Sequence, residues 1–532
     1  MKVTDYIISF LIEKGITDIF GYPGGVICHL MDSASKFPLI KAHTNYHAQG
    51  AAFAACGYAQ STGKLGVAYS TSGPGATNLV TGIANAYYDS IPTLFLTGQV
   101  DTYAERGDFP VRQRGFQETE VVSMVKNVTK YAIRVDNIDD IKYCLEKAYY
   151  IAFEGNPGPV LLDLPADIQR AYVDIDSIRG FLNNVNDTHY ESSITIINEL
   201  LQQYKRPLFL VGNGVKLSFT CDVIQSICES TGIPAIFSMP AFDVLPTEHP
   251  LNYGYLGGNG HKRANIIVSK ADLIITIGSR LCIRQIGLAR EKFAPNAKLV
   301  RIDIDREGLN YMVHNDEISI EADLKIFLAQ LKQKILSGTN YNIWRQECDA
   351  IRKECISESY DLQAELIKML SCKVPSNYDI TLDVGLNQLI CAINYSVKSG
   401  QHVYMSAGHG AMGYSVPAAI GVCTGLKKPV ISFNGDGGLM MNVQELQYIK
   451  RDKLPIVVVC INNNALGMIK GFQERNFNKN YINTTKDSGY LSVNLKKLAD
   501  AFEINYHKIT TVGDFSTLDF NNNEPQFIEI AL

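Results

Sequence analysis

Asp436, set among glycines in Gly435-Asp436-Gly437-Gly438, and Asn463, 27 positions later in Ile461-Asn462-Asn463-Asn464, are the residues best spaced to do chemistry together. Each follows an apolar run, Val430-Ile431-Ser432-Phe433 before the aspartate and Pro455 to Ile461 before the asparagine. Both therefore fall at carboxyl ends of parallel strands, where open α/β sheets bind their ligands. Mg²⁺ takes hard oxygen ligands in octahedral geometry, usually one or two from protein and the rest from phosphate and water. One carboxylate and one amide oxygen meet that demand, and the pair reads as a clamp for Mg²⁺ and a diphosphate. Asp beside Gly is also ordinary turn chemistry, so the Gly-Asp-Gly alone leaves both readings open.

A clamp of this kind needs a parallel sheet behind it, and the chain alternates short apolar runs with helical patterns in three stretches. Asp18-Ile19-Phe20, Gly66 to Ser70, Thr93 to Thr97 and Val160 to Asp163 read as strands of the first; Leu208 to Gly212, Ala235 to Phe237, Leu273 to Ile277 and Leu299 to Asp303 as strands of the second. The third runs from Gln401 and closes on Gln526 to Ile530. A polar stretch over 170–189 and a charged segment holding the only tryptophan, Trp344, separate them. The expected fold class is α/β, three doubly wound parallel-sheet domains at 1–170, 190–335 and 381–532, with a helical linker at 336–380. A chain of 532 residues is too long for a single core and agrees with that division.

A hydrophobic fraction of 46% and a charged fraction of 19% describe a globular protein with a large interior. The net charge of -5 argues against a nucleic-acid partner, which calls for a basic face. No apolar run approaches the roughly 18 residues of a membrane span. The twelve cysteines show no Cys-x-x-Cys pair or metal-ligand spacing and are expected as reduced thiols. Met1-Lys2-Val3-Thr4-Asp5 leads into an amphipathic helix pattern without a signal-type apolar core, so the expected compartment is the cytoplasm.

Gly-Asp-Gly followed after about 25 to 30 residues by Asn-Asn resembles the signature of thiamine diphosphate (ThDP) enzymes. Further segments extend the likeness along nearly the whole chain. Gly21 to Gly25, Gln49 to Ala52, Thr71 to Leu79, Asp89 to Pro92, Gly98 to Val100, Phe116 to Glu118, Gly158 to Val160, Asp383 to Gly385, Gly410 to Gly413 and Gly467 to Lys470 are similar to acetohydroxyacid (acetolactate) synthase catalytic subunits. The resemblance implies a pyrimidine-binding first domain, a middle domain, and a last domain that holds the diphosphate and Mg²⁺ through Asp436, Asn463 and the carbonyl of Ala465. It implies cofactor contacts at Gly24, Pro74, Asn78, Val384, Gly410, Gly435, Gly437, Gly438 and Met468. Met412 matches the large apolar residue that bends the cofactor so that its 4'-imino group reaches the thiazolium C2. Superfamily members build their sites between two chains, so a homodimer or homotetramer is expected.

The family reads His-Glu-Gln-Gly where this chain reads His47-Ala48-Gln49-Gly50, and Ala48 thus stands in the place of the carboxylate that activates the pyrimidine. A methyl group neither accepts nor donates a proton. Either the chain is an engineered, inactivated Glu→Ala variant, or it is a natural member that works without the carboxylate. Similar enzymes decarboxylate pyruvate and add the two-carbon unit to a second 2-oxo acid. Arg284 matches the acceptor-binding arginine, and a guanidinium suits a carboxylate bidentately. Phe116, Gln117 and Lys130 would form the facing wall from a neighbouring subunit. Phe472 replaces an acceptor-selecting tryptophan, and His409 stands where the family usually has an apolar residue, able to donate a proton, bind a hydroxyl-rich acceptor or cap a loop. The charged stretch 101–115 and an end at Leu532, short of the family's C-terminal cap, suggest a more open site and a bulkier acceptor such as a keto-sugar nucleotide. The middle domain of similar enzymes binds FAD, and Gly212, Gly214, Arg280, Asp303 and Asp323 match its contacts, although Gly-x-Gly after a strand is weak evidence. A pyruvate-using carboligase is the leading expectation; a simple 2-oxo-acid decarboxylase and a catalytically silent ThDP-binding homologue are the alternatives.

Overall fold

The computed structural model describes residues 1–182, 189–336, 338, 340–356 and 362–532. The chain divides into two compact units, one joining Met1–Asn184, Tyr378–Gln388 and Tyr404–Leu532, the other joining Val185–Asn377 and Leu389–Val403. The first unit carries two parallel sheets and the second carries one. In the first sheet β1 (Asp18–Gly21), β2 (Lys41–Thr44), β3 (Gly66–Ser70), β4 (Thr93–Gln99), β5 (Tyr131–Arg134) and β6 (Pro159–Pro165) lie in the order β2-β1-β3-β4-β6-β5. The second unit's sheet holds β7 (Pro207–Val211), β8 (Ala235–Phe237), β9 (Asn252–Tyr255), β10 (Leu273–Ile277), β11 (Lys298–Asp303) and β12 (Ile318–Glu321), ordered β12-β11-β10-β7-β8-β9. The third sheet, β13 (Asp379–Leu382), β14 (Val403–Met405), β15 (Val430–Gly435), β16 (Ile456–Asn462), β17 (Asn505–Ile509) and β18 (Gln526–Ala531), is ordered β14-β13-β15-β16-β18-β17. Counted within each sheet, the two sheets of the first unit repeat one order, whereas the second unit's sheet has the doubly wound dinucleotide-binding order.

Register brings the chemistry together. Leu382, Phe433, Val459 and Ile528 lie side by side across β13, β15, β16 and β18, so these strands end nearly level. The residues that follow them, Asp383, Asp436 and Asn463, emerge at one rim. The expected helical stretch over 336–380 contains helices Asn342–Ile356 and Leu362–Lys373. Trp344 is buried in the second unit's core with its indole N–H on the Pro207 carbonyl at 2.9 Å, so this stretch packs as part of that unit and is more than a linker.

Within the first unit, helix Ala48–Thr62 lies against helix Ser415–Leu426, and both are buried on nearly every side. Small residues at the contact let the backbones meet: a β-carbon on Gly421 would lie 1.9 Å from the Ala54 carbonyl oxygen, and one on Gly57 would lie 2.3 Å from that of Ala418. A second tie runs through buried polar groups. His43 accepts or donates at both ring nitrogens, with Asp18 Oδ1 at 2.7 Å from Nε2 and the Tyr448 hydroxyl at 2.6 Å from Nδ1. Gly421→Val should therefore lower the unit's stability by about 3 kcal/mol, the upper end of core overpacking. Chemical unfolding compared with Gly258→Ala, whose β-carbon would enter open space, checks this; equal midpoints would refute it.

Candidate functional site

Gly437 lies at the centre of the rim formed by β13, β15 and β16. A β-carbon there would sit 2.6 Å from Leu466 Cδ2, 3.3 Å from the Tyr490 hydroxyl and 3.7 Å from Met412 Cε. Asp436 is 3% exposed, and the Tyr490 hydroxyl donates to its Oδ2 at 3.0 Å. Burial raises its pKa above the ordinary carboxylate value, and among the described residues it makes no salt bridge. A buried carboxylate with so little neutralisation is the condition that a divalent cation relieves. On the next strand the Asn463 Oδ1 accepts the Ala465 N–H at 3.1 Å, and the Asn462 Oδ1 accepts the Asn464 N–H at 3.2 Å, turning the chain sharply at Asn464, whose φ is +51°. Among the described residues no group of three or more His, Cys, Asp or Glu side chains could form an all-protein cage. One carboxylate and one amide oxygen fit Mg²⁺ that draws its remaining ligands from phosphate and water.

Asp383, at the end of β13, is fully buried. Its Oδ1 accepts the Tyr414 N–H at 2.9 Å, while Oδ2 has no partner and would lie 2.0 Å from a β-carbon at Gly438. Burial pushes its pKa up to about 7. Asp383 thus anchors the loop that carries Gly410, with φ +70°, and Met412. Close approach of Leu466 and Asp383 explains why positions 437 and 438 are glycine.

The same unit brings Ala48 to the helix that follows this rim. Glu445 is buried, and its carboxylate accepts Asn45 Nδ2–H at 2.9 Å and the N–H groups of Tyr46 and His47 at 3.0 and 3.1 Å. Burial nevertheless pushes its pKa up to about 7. The turn held in this way leads directly into Ala48, which is 5% exposed at the start of its helix, and a β-carbon on Gly50 would collide with Glu445 Oε1 at 2.4 Å. The His47 Nδ1 accepts the Gln49 N–H, and burial lowers that imidazole's pKa.

At the first sheet's carboxyl rim, Gly24 abuts Thr71, Pro74 and Asn78 lie on helix Pro74–Tyr88, and Gln117, with φ +64°, packs against Gly73. Phe116 is 85% exposed. Glu118 gathers the N–H groups of Arg106, Arg114 and Gly115 at 2.8, 2.9 and 3.1 Å, so the charged stretch 101–115 folds around one carboxylate. Lys130 is not brought to Gln117. It precedes β5, beside the start of β6, at the opposite rim of the sheet, where its amine meets the Glu154 carbonyl and burial lowers its pKa to about 8. His409 stacks on Tyr88 with ring centroids 5.7 Å apart, and Asp89 accepts the N–H groups of Ala407 and Gly408, the latter at 2.6 Å. Met468 and Phe472 lie on helix Gly467–Asn476, Phe472 edge-on to Phe477, and Val384 follows β13. Sequence alone does not single out Tyr88, Asp89, Glu445 or Tyr490 as site residues; Asp89 opens the family-like segment Asp89 to Pro92, but nothing in the spacing indicates Tyr490.

In the second unit, Arg280 and Arg284 are exposed. Gly212 and Gly214 are pressed against Gly278, with β-carbons that would lie 2.0 Å from its oxygen and 2.8 Å from its Cα. Asp303 accepts the Asp305 N–H, and Asp323 caps helix Leu324–Lys334.

Comparison with known proteins accords with this geometry. The N-terminal, central and C-terminal domains of thiamine pyrophosphate enzymes match residues 1–124, 194–331 and 383–530. The acetolactate synthase large subunit of Lactococcus lactis is 35% identical over 99% of this chain and 92% of its own length. The isozyme 2 large subunit of Escherichia coli is 33% identical over 100% and 96%, and the chloroplastic acetolactate synthase 1 of Nicotiana tabacum is 33% identical over 96% and 78%. The chain belongs to the thiamine pyrophosphate enzyme family, as an acetolactate synthase-like catalytic subunit.

Glu445 yields a pH test. Its folded pKa lies above the ordinary value of 4.5, so its contribution to stability is full below that value and is lost as pH rises through about 7. Glu445→Gln cannot ionise. Between about pH 4.5 and pH 8 the stability difference should shift in the variant's favour by roughly 3 kcal/mol, measured by urea unfolding. A difference that does not change with pH would contradict the assignment.

Proposed function

We propose that the chain is a ThDP- and Mg²⁺-dependent carboligase that decarboxylates pyruvate and transfers the two-carbon unit to a 2-oxo acid or keto-sugar acceptor. The observation that carries this reading is the buried Asp436 without a cationic partner, at the same rim as Asn463 and followed by Gly437, against which Leu466 and Met412 lie. Asp436, Asn463 and the Ala465 carbonyl hold Mg²⁺ in this reading. Val384, Gly410, Gly435, Gly437, Gly438 and Met468 surround the diphosphate half, Gly24, Pro74 and Asn78 the pyrimidine half. ThDP, when bound, supplies a carbon nucleophile that takes up pyruvate and permits loss of CO₂. The chain's part would be to grip the diphosphate through the metal, offer Met412 as an apolar support to the cofactor, and keep the turn at Ala48 rigid through Glu445. Gln117 and Phe116 offer a polar and an apolar contact to substrates, His409 is a proton donor fixed by Tyr88 and Asp89, and Phe472 leaves room for a larger acceptor. Arg284 pairs with the acceptor's negative charge. Gly212, Gly214, Asp303 and Asp323 serve packing and capping within the second unit. Assembly as a homodimer or homotetramer is supported by exposed apolar side chains at Phe116, Met440, Met441 and Ile469. Among the described residues no helix is long and apolar enough to cross a membrane.

Ala48 favours a second reading, a homologue that binds ThDP without turning over, and one experiment separates the two. A positioned acid or base contributes about 10²–10⁴ in rate. Ala48→Glu should raise pyruvate consumption by at least about tenfold, and an acidic residue in the first turn also suits the helix dipole. The carboligase reading expects wild-type protein to form ligated product from pyruvate and an acceptor, detected by mass spectrometry. Wild-type protein that is loaded but inert, with turnover only in Ala48→Glu, would establish the silent homologue instead.

Arg284→Ala should depress ligated product while leaving pyruvate decarboxylation largely intact, at a cost of about 1.5–3 kcal/mol for one charged hydrogen bond. The ratio of free aldehyde to ligated product is the readout. An equal fall in both would remove Arg284 from the acceptor site.

A further inference from the structure

The stretch between helix Gly467–Asn476 and helix Leu495–Ala501 links the two halves of the metal clamp. At one end it is stitched to the loop of Asn463: the Leu466 N–H donates to the Thr484 carbonyl at 3.0 Å, Ala465 and Thr485 form an antiparallel bridge, and the Thr484 hydroxyl donates to Gln473 Oε1 at 2.7 Å. The chain then turns back on itself. Thr485 and Ser488 cap each other around the short helix Lys486–Ser488, Gly489 adopts a φ of +106° that favours glycine, and the Tyr490 N–H returns to the Thr485 carbonyl at 2.9 Å. This return delivers the Tyr490 ring to the other half of the clamp, where its hydroxyl meets Asp436 Oδ2 at 3.0 Å.

A carboxylate fixed at one oxygen presents the other in a set direction. We infer that Tyr490 is a positioning residue for the metal, holding Oδ2 of Asp436 so that Oδ1 faces the cation, and that the 484–490 turn keeps this oxygen in register with Asn463. The inference rests on the reading of Asp436 as a metal ligand. Hydrogen-bonding partners of metal ligands are typically worth about 10–100-fold in affinity.

Mn²⁺, an oxygen-seeking stand-in for Mg²⁺, gives a readout independent of turnover. Free Mn²⁺ is followed by electron paramagnetic resonance during titration of the full chain with ThDP present. Tyr490→Phe, which keeps the ring and loses the donor, should weaken Mn²⁺ binding about tenfold while leaving the metal-free melting temperature nearly unchanged. Ser488→Ala, which loosens the turn without touching Asp436, should weaken it in the same direction. Unchanged affinity in both, with binding lost in Asp436→Ala, would overturn the role of Tyr490 and leave the metal reading standing. Absence of Mn²⁺ binding to the wild-type protein, or its persistence in Asp436→Ala, would overturn the metal reading and this inference with it.

Discussion

Backbone contact between helix Ala48–Thr62 and helix Ser415–Leu426 is the constraint on which the rest of the first unit depends. Gly57 and Gly421 leave no room even for a methyl group between them and the facing carbonyls, so the two helices have one spacing and one register. Each helix starts at a turn of the candidate site. One begins at Ala48 and the other directly follows the loop of Gly410, Met412 and Tyr414. Fixing the helices therefore fixes the two turns, and with them two sheets of the same strand order. Packed interiors do not deform continuously, which makes such a contact a stiff frame.

Three of the carboxylates buried in that frame, Glu445, Asp383 and Asp436, are each accommodated differently. Glu445 receives three N–H donors, two from backbone, and ties the third sheet's helix to the turn before Ala48. Asp383 receives a backbone N–H on one oxygen and leaves the other without a partner, the arrangement of a carboxyl that burial favours as neutral. Asp436 receives the Tyr490 phenol, with the Ser492 hydroxyl also acting on it, and stands on a rim at the ends of the strands. Placing charge in a low-dielectric interior is costly unless it is compensated, so the last of these is where an added cation gains most. The absent carboxylate at position 48 has the opposite consequence. The turn that would carry it is firmly built, yet its side chain is chemically inert.

The interior strands were legible in the sequence because both of their faces are buried and they read as apolar runs. The strands that no run announced, β2, β5, β9, β12, β14 and β17, are the two edges of each sheet. β2 exposes Lys41, and β17 buries only Ile509 fully. β13 is an interior exception: it has only four residues and buries Asp379 and Thr381. The three-sheet fold and the placement of Asp436 and Asn463 at carboxyl ends follow from local pattern, whereas the inert residue at 48 stands out only against the family's motif. The supporting residues do not follow from local pattern, because their partners are remote: Asn45 and Glu445 are 400 positions apart, His43 and Tyr448 405, and Asp436 and Tyr490 54. Trp344 lies in a stretch that reads as charged, because the charged face of its helix masks the buried one. Lys130 shows the converse limit, where likeness of sequence suggested a neighbourhood with Gln117 that the sheet's direction does not provide.

The proposed metal site rests on the buried carboxylate of Asp436. Calorimetric titration of ThDP into the wild-type chain, with Mg²⁺ and with chelator, tests this most directly. Saturable binding with Mg²⁺ and its loss under chelation are expected, whatever the turnover at Ala48. Binding of equal strength in both conditions, or in neither, would contradict the proposed site.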